Sequence, residues 1–293
     1  MITFSNGHKL TFACASGALA FDGRGWWWEA PLRWIGILNP KAFTIVAKTV
    51  TLKSKKGNLS MWHPWSCVRL IRKSGMKGAT NAIGLTNPGI EKWISKHYPI
   101  AIREGYRIAA SVKPNDPDEA AAMAKMLAPL TLAYVEVNVS CPNVCEIPSD
   151  VPLILKQLQA SGHPIVLKLS VDQVRAEFVN AVERWVEAYH VINTIPWNEI
   201  FDEKKYPSPI AHYAHGQSGG VSGDFIRTTA LQCVQKMKGF TQKPVIGGGG
   251  IFTVQHVRDF EGHGASAFSI GTCFLLRPWM PNKIVREYGK SRI

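Results

Sequence analysis

Short apolar, β-branched runs recur along the chain, and helical patterns follow most of them. The runs are Phe43 to Thr49, a short one at Ala79 to Ala82, Arg107 to Val112, Ala133 to Val139, Pro164 to Leu169, His190 to Thr194, Pro244 to Gly247 and Ala267 to Gly271. They are continuous rather than alternating, which is the mark of strands buried on both faces in a parallel sheet. Between them, Asp116 to Leu127 opens on the candidate caps Asn115 and Asp116. Val151 to Ser161 stops at Gly162, a natural residue for ending a helix. Asp172 to Tyr189 carries Val174, Phe178, Val182, Trp185 and Val186 at helical spacing. Gly223 to Lys238 and Thr253 to Gly262 complete the series.

Strands alternating with helices predict a parallel sheet, and eight of them predict a closed (β/α)8 TIM barrel over a doubly wound open sheet. About 40 residues precede the first of these runs as a short N-terminal extension. Gly7, between two apolar-polar stretches, suggests a hairpin there that closes the barrel floor. The segment Thr194 to Gly219 holds Pro196, Pro207 and Pro209 and reads as a long functional loop. The whole chain, 1–293, is read as a single domain.

Composition narrows the class. Of 293 residues, 46% are hydrophobic and 19% charged, which is globular rather than disordered. The formal net charge of +13 points to anionic partners and says nothing of fold. No apolar run approaches the ~20 residues of a membrane span. The start lacks a basic segment followed by an apolar one, so no secretory signal is expected. Six cysteines without a C-x-x-C pair suit a reduced, cytoplasmic chain, and no iron–sulfur cluster is expected in it. His212 and His215 are three apart, but no further ligand set accompanies them, so no metal site is expected.

Candidate chemistry lies at strand ends, where this architecture carries its reactive groups. Those ends hold Lys48-Thr49, Asn81, Asn138, Lys168 and Asn193-Thr194. One polar residue closing an apolar strand is unremarkable; five strands sharing the trait suggest one polar site around a common mouth. In Asn138-Val139-Ser140-Cys141-Pro142-Asn143, two amides flank a thiol. Amides suit a ligand rich in C=O and N–H groups, and the thiol could serve as general base; a plain turn with a buried Cys is the alternative. Gly84, in Asn81 to Gly89, lets backbone N–H groups converge on an anion, although an ordinary Gly/Asn/Pro loop would read the same way. The glycines at 219, 220 and 223, at 247 to 250, and Gly271-Thr272 form a series whose last two groups follow the seventh and eighth strands, where such barrels bind phosphate on bare backbone and a short helix start. Lys168, inside a buried run, needs an anionic partner or snorkels to the rim.

These residues together resemble the dihydroorotate dehydrogenases, FMN-dependent barrel enzymes of pyrimidine (UMP) synthesis. The resemblance runs in order through Ala15-Ser16-Gly17, Ala47 to Thr51 with Gly57-Asn58, Asn81 to Gly89, Asn138 to Asn143, Lys168, Ile192-Asn193-Thr194, Gly219 to Gly223, Gly249-Gly250-Ile251 and Ile270-Gly271-Thr272. It implies an oxidoreductase that converts (S)-dihydroorotate to orotate. Cys141 looks like the base of the class 1 enzymes, removing the C5 proton while hydride leaves C6 for flavin N5. Class 2 enzymes carry Ser there and an N-terminal membrane-associating extension, which is not expected here.

By the same resemblance, Asn81, Asn138, Asn143 and Asn193, with Thr194, hold the substrate. Lys48 and the backbone at Ile83, Gly84 and Leu85 bind its carboxylate. Lys168 lies near the flavin pyrimidine ring. Gly219, Gly220, Gly249, Gly250, Gly271 and Thr272 cradle the FMN phosphate. Ala15, Ser16, Gly17, Thr49 and Ser111 complete the FMN contacts, together with Lys48, Asn138 and Lys168.

The chain departs from the family pattern in several places. Val144 to Asp150 replaces a Gly-containing loop, and Pro196-Trp197-Asn198 replaces small residues. Leu59 to Trp62 stands for a proline-arginine run, and Ser170-Val171-Asp172 for a Pro-Asn. Ser111 stands where many relatives have Asn. Two other readings of the residues are an FMN barrel reducing another pyrimidine, such as a tRNA dihydrouridine synthase, and a non-catalytic FMN-binding barrel. No residues are left over for the helical RNA-binding domain of the synthases, so nucleic acid is not expected as a partner, nor is a membrane. The partners implied are the small-molecule substrate, a second copy of the chain in a homodimer, and an iron–sulfur flavoprotein electron-transfer subunit. Three acceptors fit the family: fumarate, NAD⁺ through that subunit, or a quinone.

Overall fold

The structure is a computed structural model that describes residues 1–60, 62–139, 150–212, 216 and 218–290. Among these residues, eight parallel strands close into a barrel. In chain order around it they are β3 (Phe12–Cys14), β4 (Thr44–Val46), β7 (Arg107–Val112), β8 (Val135–Asn138), β9 (Ile165–Leu169), β10 (Ala188–Val191), β13 (Val245–Gly248) and β14 (Ala267–Ile270). β14 pairs with β3, which shuts the ring. The predicted TIM-barrel class is what the chain adopts.

Each barrel strand has two buried faces, which explains why its sequence is a continuous apolar run. In β9, Ile165, Leu167 and Leu169 face outward into the main core. There they meet Val151, Ile154, Leu155 and Leu158 of the helix Val151–Leu158. Val166 faces inward, into a second cluster with Ala13, Val46, Ala109, Ala188, Ile246 and Ala267, one residue from each of six other strands. Tyr134, just before β8, fills the remaining sector. Fully burying one Val, Leu or Ile contributes ~1.5–3 kcal/mol, so the alternation commits each strand to one register.

The N-terminal hairpin is present. β1 (Ile2–Thr3) and β2 (Lys9–Leu10) pair antiparallel, and Ile2, Phe4 and Leu10 plug the inner cluster from below. Of the candidate caps Asn115 and Asp116, the second forms, and the expected stop at Gly162 is present. Asp116 accepts from the Glu119 amide at 2.8 Å and starts the helix Pro117–Leu127. Gly162, with φ of 72°, ends the turn that follows the helix Val151–Leu158. Thr253 accepts from the His256 amide at 3.2 Å ahead of Val254–Gly262.

Two strand assignments change. Ala79 to Ala82 is not a barrel strand; it belongs to β6 (Met76–Asn81). With β5 (Val68–Lys73), β11 (Ile195–Pro196) and β12 (Gly220–Gly223), β6 forms a four-stranded antiparallel sheet outside the barrel. The missing barrel strand is β3, inside the supposed extension. It has three residues, all buried, and turns at once into Ala15 and Ser16, so it is too short to show a period. Two further boundaries shift. The helix expected over 172 to 189 is confined to Ala176–Val182 and a following single turn, because Tyr189 is needed in β10. The long loop after Thr194 contains β11 and the turn Trp197–Ile200, and Trp197 Nε1 donates to the Tyr206 carbonyl at 2.9 Å.

Candidate active site

A cavity of about 590 Å³ opens at the C-terminal ends of the barrel strands. Its floor is built from inward-facing positions at the tops of the strands, among them Lys48, Asn138, Lys168, His190, Gly248 and Ser269. The antiparallel sheet covers one side with Val68, Leu70, Ala79, Asn81 and Ser222. Trp26, Trp28 and Glu29 form part of another side. Asn81 thus reaches the mouth from the covering sheet rather than from a barrel strand.

Most of the residues singled out in the sequence line this one cavity. They include Ala15, Ser16, Gly17, Lys48, Thr49 and Asn81, then Ile83, Gly84, Leu85, Asn138, Lys168, Asn193 and Thr194, and finally Gly249, Gly250, Gly271 and Thr272. Three do not. Ser111 is 1% exposed and lies beneath the cavity, where its hydroxyl meets Thr49 and Glu136. Gly219 and Gly220 are committed to the covering sheet: Gly220 pairs with Asn81, and a Cβ at Gly219 would lie 2.7 Å from the Asn81 carbonyl. Ser222 and Gly223 line the cavity in their place. Cys141 and Asn143 fall outside the described residues.

The loop after Asn81 is held by specific bonds. Asn58 Nδ2 donates to the Ala82 carbonyl at 2.8 Å, and Gly57 has no room for a Cβ against Ile83 and Thr86. Asn87 is buried and accepts from the Thr51 and Gly89 amides while donating to the Leu85 carbonyl. Lys48 Nζ donates to the Thr86 carbonyl at 2.7 Å and sits 5.7 Å from the Phe21 ring centre. Gly84 and Leu85 both take positive φ, 65° and 58°, which turns the chain sharply at the rim.

The amides are chained together. Asn193 Nδ2 donates to Asn138 Oδ1 at 3.4 Å, and Asn138 Nδ2 to Thr49 Oγ1 at 3.3 Å. Below them runs a belt of side chains: Ser16 Oγ to Thr49 Oγ1 at 3.1 Å, Thr49 Oγ1 to Ser111 Oγ at 2.9 Å, and Ser111 Oγ to Glu136 Oε1 at 3.2 Å. Glu136 Oε2 then meets His190 Nδ1 at 2.6 Å.

Electrostatics set the charge of that belt. Burial pushes the Glu136 carboxyl up, but the Lys168 ammonium and the His190 and Ser111 hydrogen bonds outweigh it and hold it below the usual carboxylate range. Burial holds His190 below its ordinary value against the pull of Glu136. The pair is therefore a carboxylate accepting a hydrogen bond from a neutral imidazole. Glu29 differs: burial pushes its carboxyl up to about 7, against the Trp26 amide bond and Arg33.

The glycine run has three distinct causes. A Cβ at Gly247 would strike the Phe260 ring at 2.6 Å, so that residue serves helix packing. Gly249 and Gly250 take φ of 124° and 73°, and a Cβ on either would collide with the Gly223–Ala230 segment. A Cβ at Gly248 would come within 3.0 Å of Ser269 Cβ and 3.3 Å of His190 Nε2. Bare backbone and the Ser269 hydroxyl, buried with no hydrogen-bond partner among the described residues, are left facing the cavity.

Sequence reasoning missed Glu136, His190, Ser269, Glu29 and the two tryptophans. The signal for the first two was present: a charge and an imidazole inside runs that are otherwise buried and apolar. Trp26 and Trp28 stack 5.6 Å apart at 7° beside the cavity.

A family model described as dihydroorotate dehydrogenase matches residues 35–291. A relative from Maridesulfovibrio salexigens, the dihydroorotate dehydrogenase B (NAD(+)) catalytic subunit, is 31% identical over 258 residues, covering 84% of this chain and 80% of its own. The protein of the same name from Desulforudis audaxviator is 30% identical, covering 80% and 75%. That from Bacillus mycoides is 31% identical, covering 72% and 70%. With its barrel closed, its amides and lysines gathered at one mouth and most of its length matched, the chain belongs to the dihydroorotate dehydrogenase family.

Proposed function

We propose that this chain oxidises (S)-dihydroorotate to orotate in pyrimidine synthesis, with FMN as its resident cofactor, and that residues 1–293 act as one FMN-binding domain. The observation that carries the reading is the convergence of Asn81, Asn138, Asn193, Lys48 and Lys168 on a single cavity beside the bare backbone of Gly248 to Gly250. The cavity volume suits a planar cofactor with a small substrate. The Ser269 hydroxyl, unpartnered among the described residues, and the bare backbone of Gly248 to Gly250 on the cavity wall fit a group that brings hydrogen-bonding atoms.

Bound FMN would supply the two-electron acceptor. The protein's part is to bind, orient and hold protons. Asn81, Asn138 and Asn193 would read the donors and acceptors of the pyrimidine ring, with Asn143 as a fourth amide by family resemblance. Lys48, fixed by Thr86, would hold the substrate carboxylate with the Ile83 to Leu85 backbone. Cys141 would take the C5 proton. By the family resemblance, Lys168 would place positive charge near the flavin pyrimidine ring. Gly249, Gly250, Gly271 and Thr272 would face the phosphate, with Ser222 and Gly223 taking the part expected of Gly219 and Gly220.

The names of the relatives, catalytic subunits of NAD(+) enzymes, support NAD⁺ as final acceptor and a partner electron-transfer subunit; the family resemblance makes that partner an iron–sulfur flavoprotein. No helix among the described residues is long and apolar enough to cross a membrane. By the family resemblance, the proposed enzyme works in the cytoplasm. The test is an anaerobic spectrum of the purified protein. Dihydroorotate should bleach its flavin band, and protein that stays colourless after incubation with FMN would overturn the reading.

A further inference from the structure

Two buried groups beneath the cavity play no part in the reading above. Glu136 on β8 is wholly buried and His190 on β10 is 3% exposed, with β9 between their strands. Strand register explains the meeting. Lys168 pairs with Asn138 on one side and with His190 on the other, and Glu136 sits two residues before Asn138 on the same inward face. Ser111, registered against Glu136, completes the ring from β7. Four adjacent strands therefore each turn one polar group into the same layer, above a floor of Val, Ala and Ile.

A carboxylate in that position is costly unless it is matched. Here each oxygen is matched. Oε1 accepts from Ser111 at 3.2 Å, and Oε2 accepts from His190 at 2.6 Å. The positive charge that balances it is Lys168, which lines the cavity. The hydrogen bond from Nδ1 orients the imidazole, so that Nε2 lies on the side of Gly248.

We propose that Glu136 is a positioning residue, the fixed counter-charge that neutralises the Lys168 ammonium and locks His190 as its Nδ1–H tautomer, so that this pair adds no net positive charge beneath the bound cofactor. The inference rests on the FMN reading. A lone ammonium beneath the ring system would favour the reduced, more anionic cofactor over the oxidised one. Glu136 offsets that bias and so sets how readily the enzyme gives its electrons onward.

The experiment compares wild type, Glu136→Gln and Glu136→Asp, each loaded with FMN, by equilibrium dye reduction. Gln keeps the shape and an acceptor for His190 but removes the charge. It should raise the affinity for reduced relative to oxidised FMN at least tenfold, an upward shift of about 30 mV for a two-electron couple. Asp keeps the charge and should stay near the wild-type potential. A Gln variant that binds FMN with an unchanged potential overturns the proposal. A second measurement needs no variant and no cofactor: the ¹⁵N spectrum of the His190 ring in the unloaded wild-type chain at pH 7. A neutral Nδ1–H ring supports the lock, and an imidazolium or an Nε2–H ring overturns it. Wild-type protein that refuses FMN counts against the function itself, whereas the histidine spectrum still decides the role of Glu136.

Discussion

The Lys48 ammonium donates to the Thr86 carbonyl at 2.7 Å, which ties the segment after the second barrel strand to the loop that follows the covering sheet. Lys48 is 7% exposed, so this tie fixes the charge at one spot in the cavity before any ligand arrives. Lys48→Met should lose a charge-assisted hydrogen bond of ~1.5–3 kcal/mol, or roughly 10–100-fold in kcat/KM for dihydroorotate. FMN content should change far less. Steady-state kinetics with a flavin absorbance ratio check both, and an unchanged kcat/KM would remove Lys48 from the substrate's carboxylate.

Cys141→Ala should leave the protein yellow and slow reduction of the flavin by dihydroorotate. A positioned general base contributes ~10²–10⁴-fold, so single-turnover stopped flow reads the loss directly. Equal rates in variant and wild type would refute the assignment of the base.

Gly250→Ala should weaken FMN retention and lower stability together. The new Cβ would lie 2.7 Å from the Gly223 carbonyl oxygen and 2.9 Å from Arg227 Cβ, on a backbone with φ of 73°. Such a change costs more than ~1 kcal/mol. Thermal unfolding and the flavin-to-protein absorbance ratio after gel filtration measure the two effects. Gly75→Ala, also at positive φ but with nothing within 4 Å, controls for backbone strain without contact.

Glu29 should make stability depend on pH near neutrality. Its folded carboxyl is pushed up to about 7 from the ordinary 4.5, so the folded state favours the protonated form. Its contribution to stability is complete below about 4.5 and is lost as pH rises through about 7. A tenfold difference in proton affinity between the folded and unfolded chain is worth ~1.4 kcal/mol, so the loss between pH 5 and pH 8 is on the order of 1–3 kcal/mol. Urea unfolding at the two pH values reads it, and Glu29→Gln should flatten the difference. Glu29 also lines the cavity beside Trp26 and Trp28, so the variant separates a structural carboxyl from one that a ligand feels.

The barrel was legible because its strands are buried on both sides, and β7 shows this best. Every residue from Ile108 to Val112 is buried, and the strand has the boundaries that its apolar run predicts. The site was legible in part for the same reason. Lys168, Asn138 and Asn193 interrupt or close apolar runs, so their polarity stands out against the strand. Asn81 also stood out, but its run was placed in the wrong sheet. A short buried segment looks the same in a barrel as in an antiparallel cover: residues 79 and 80 are as buried as those of β4, and only the antiparallel pairing with β5 and β12 places them in the cover.

Local sequence by itself determined the cap at Asp116, the stop at Gly162, the alternation of strand and helix, and the residue types able to meet a pyrimidine and a phosphate. These depend on the dihedral and hydrogen-bonding habits of a few neighbouring residues. Tertiary structure alone decided that β3 closes the ring and that Gly219 and Gly220 serve the cover while Ser222 and Gly223 face the cavity. It alone brought Glu136 and His190, 54 positions apart, to 2.6 Å beneath Lys168. Those outcomes follow from barrel register, which pairs residues far apart in the chain through hydrogen bonds that no local pattern encodes.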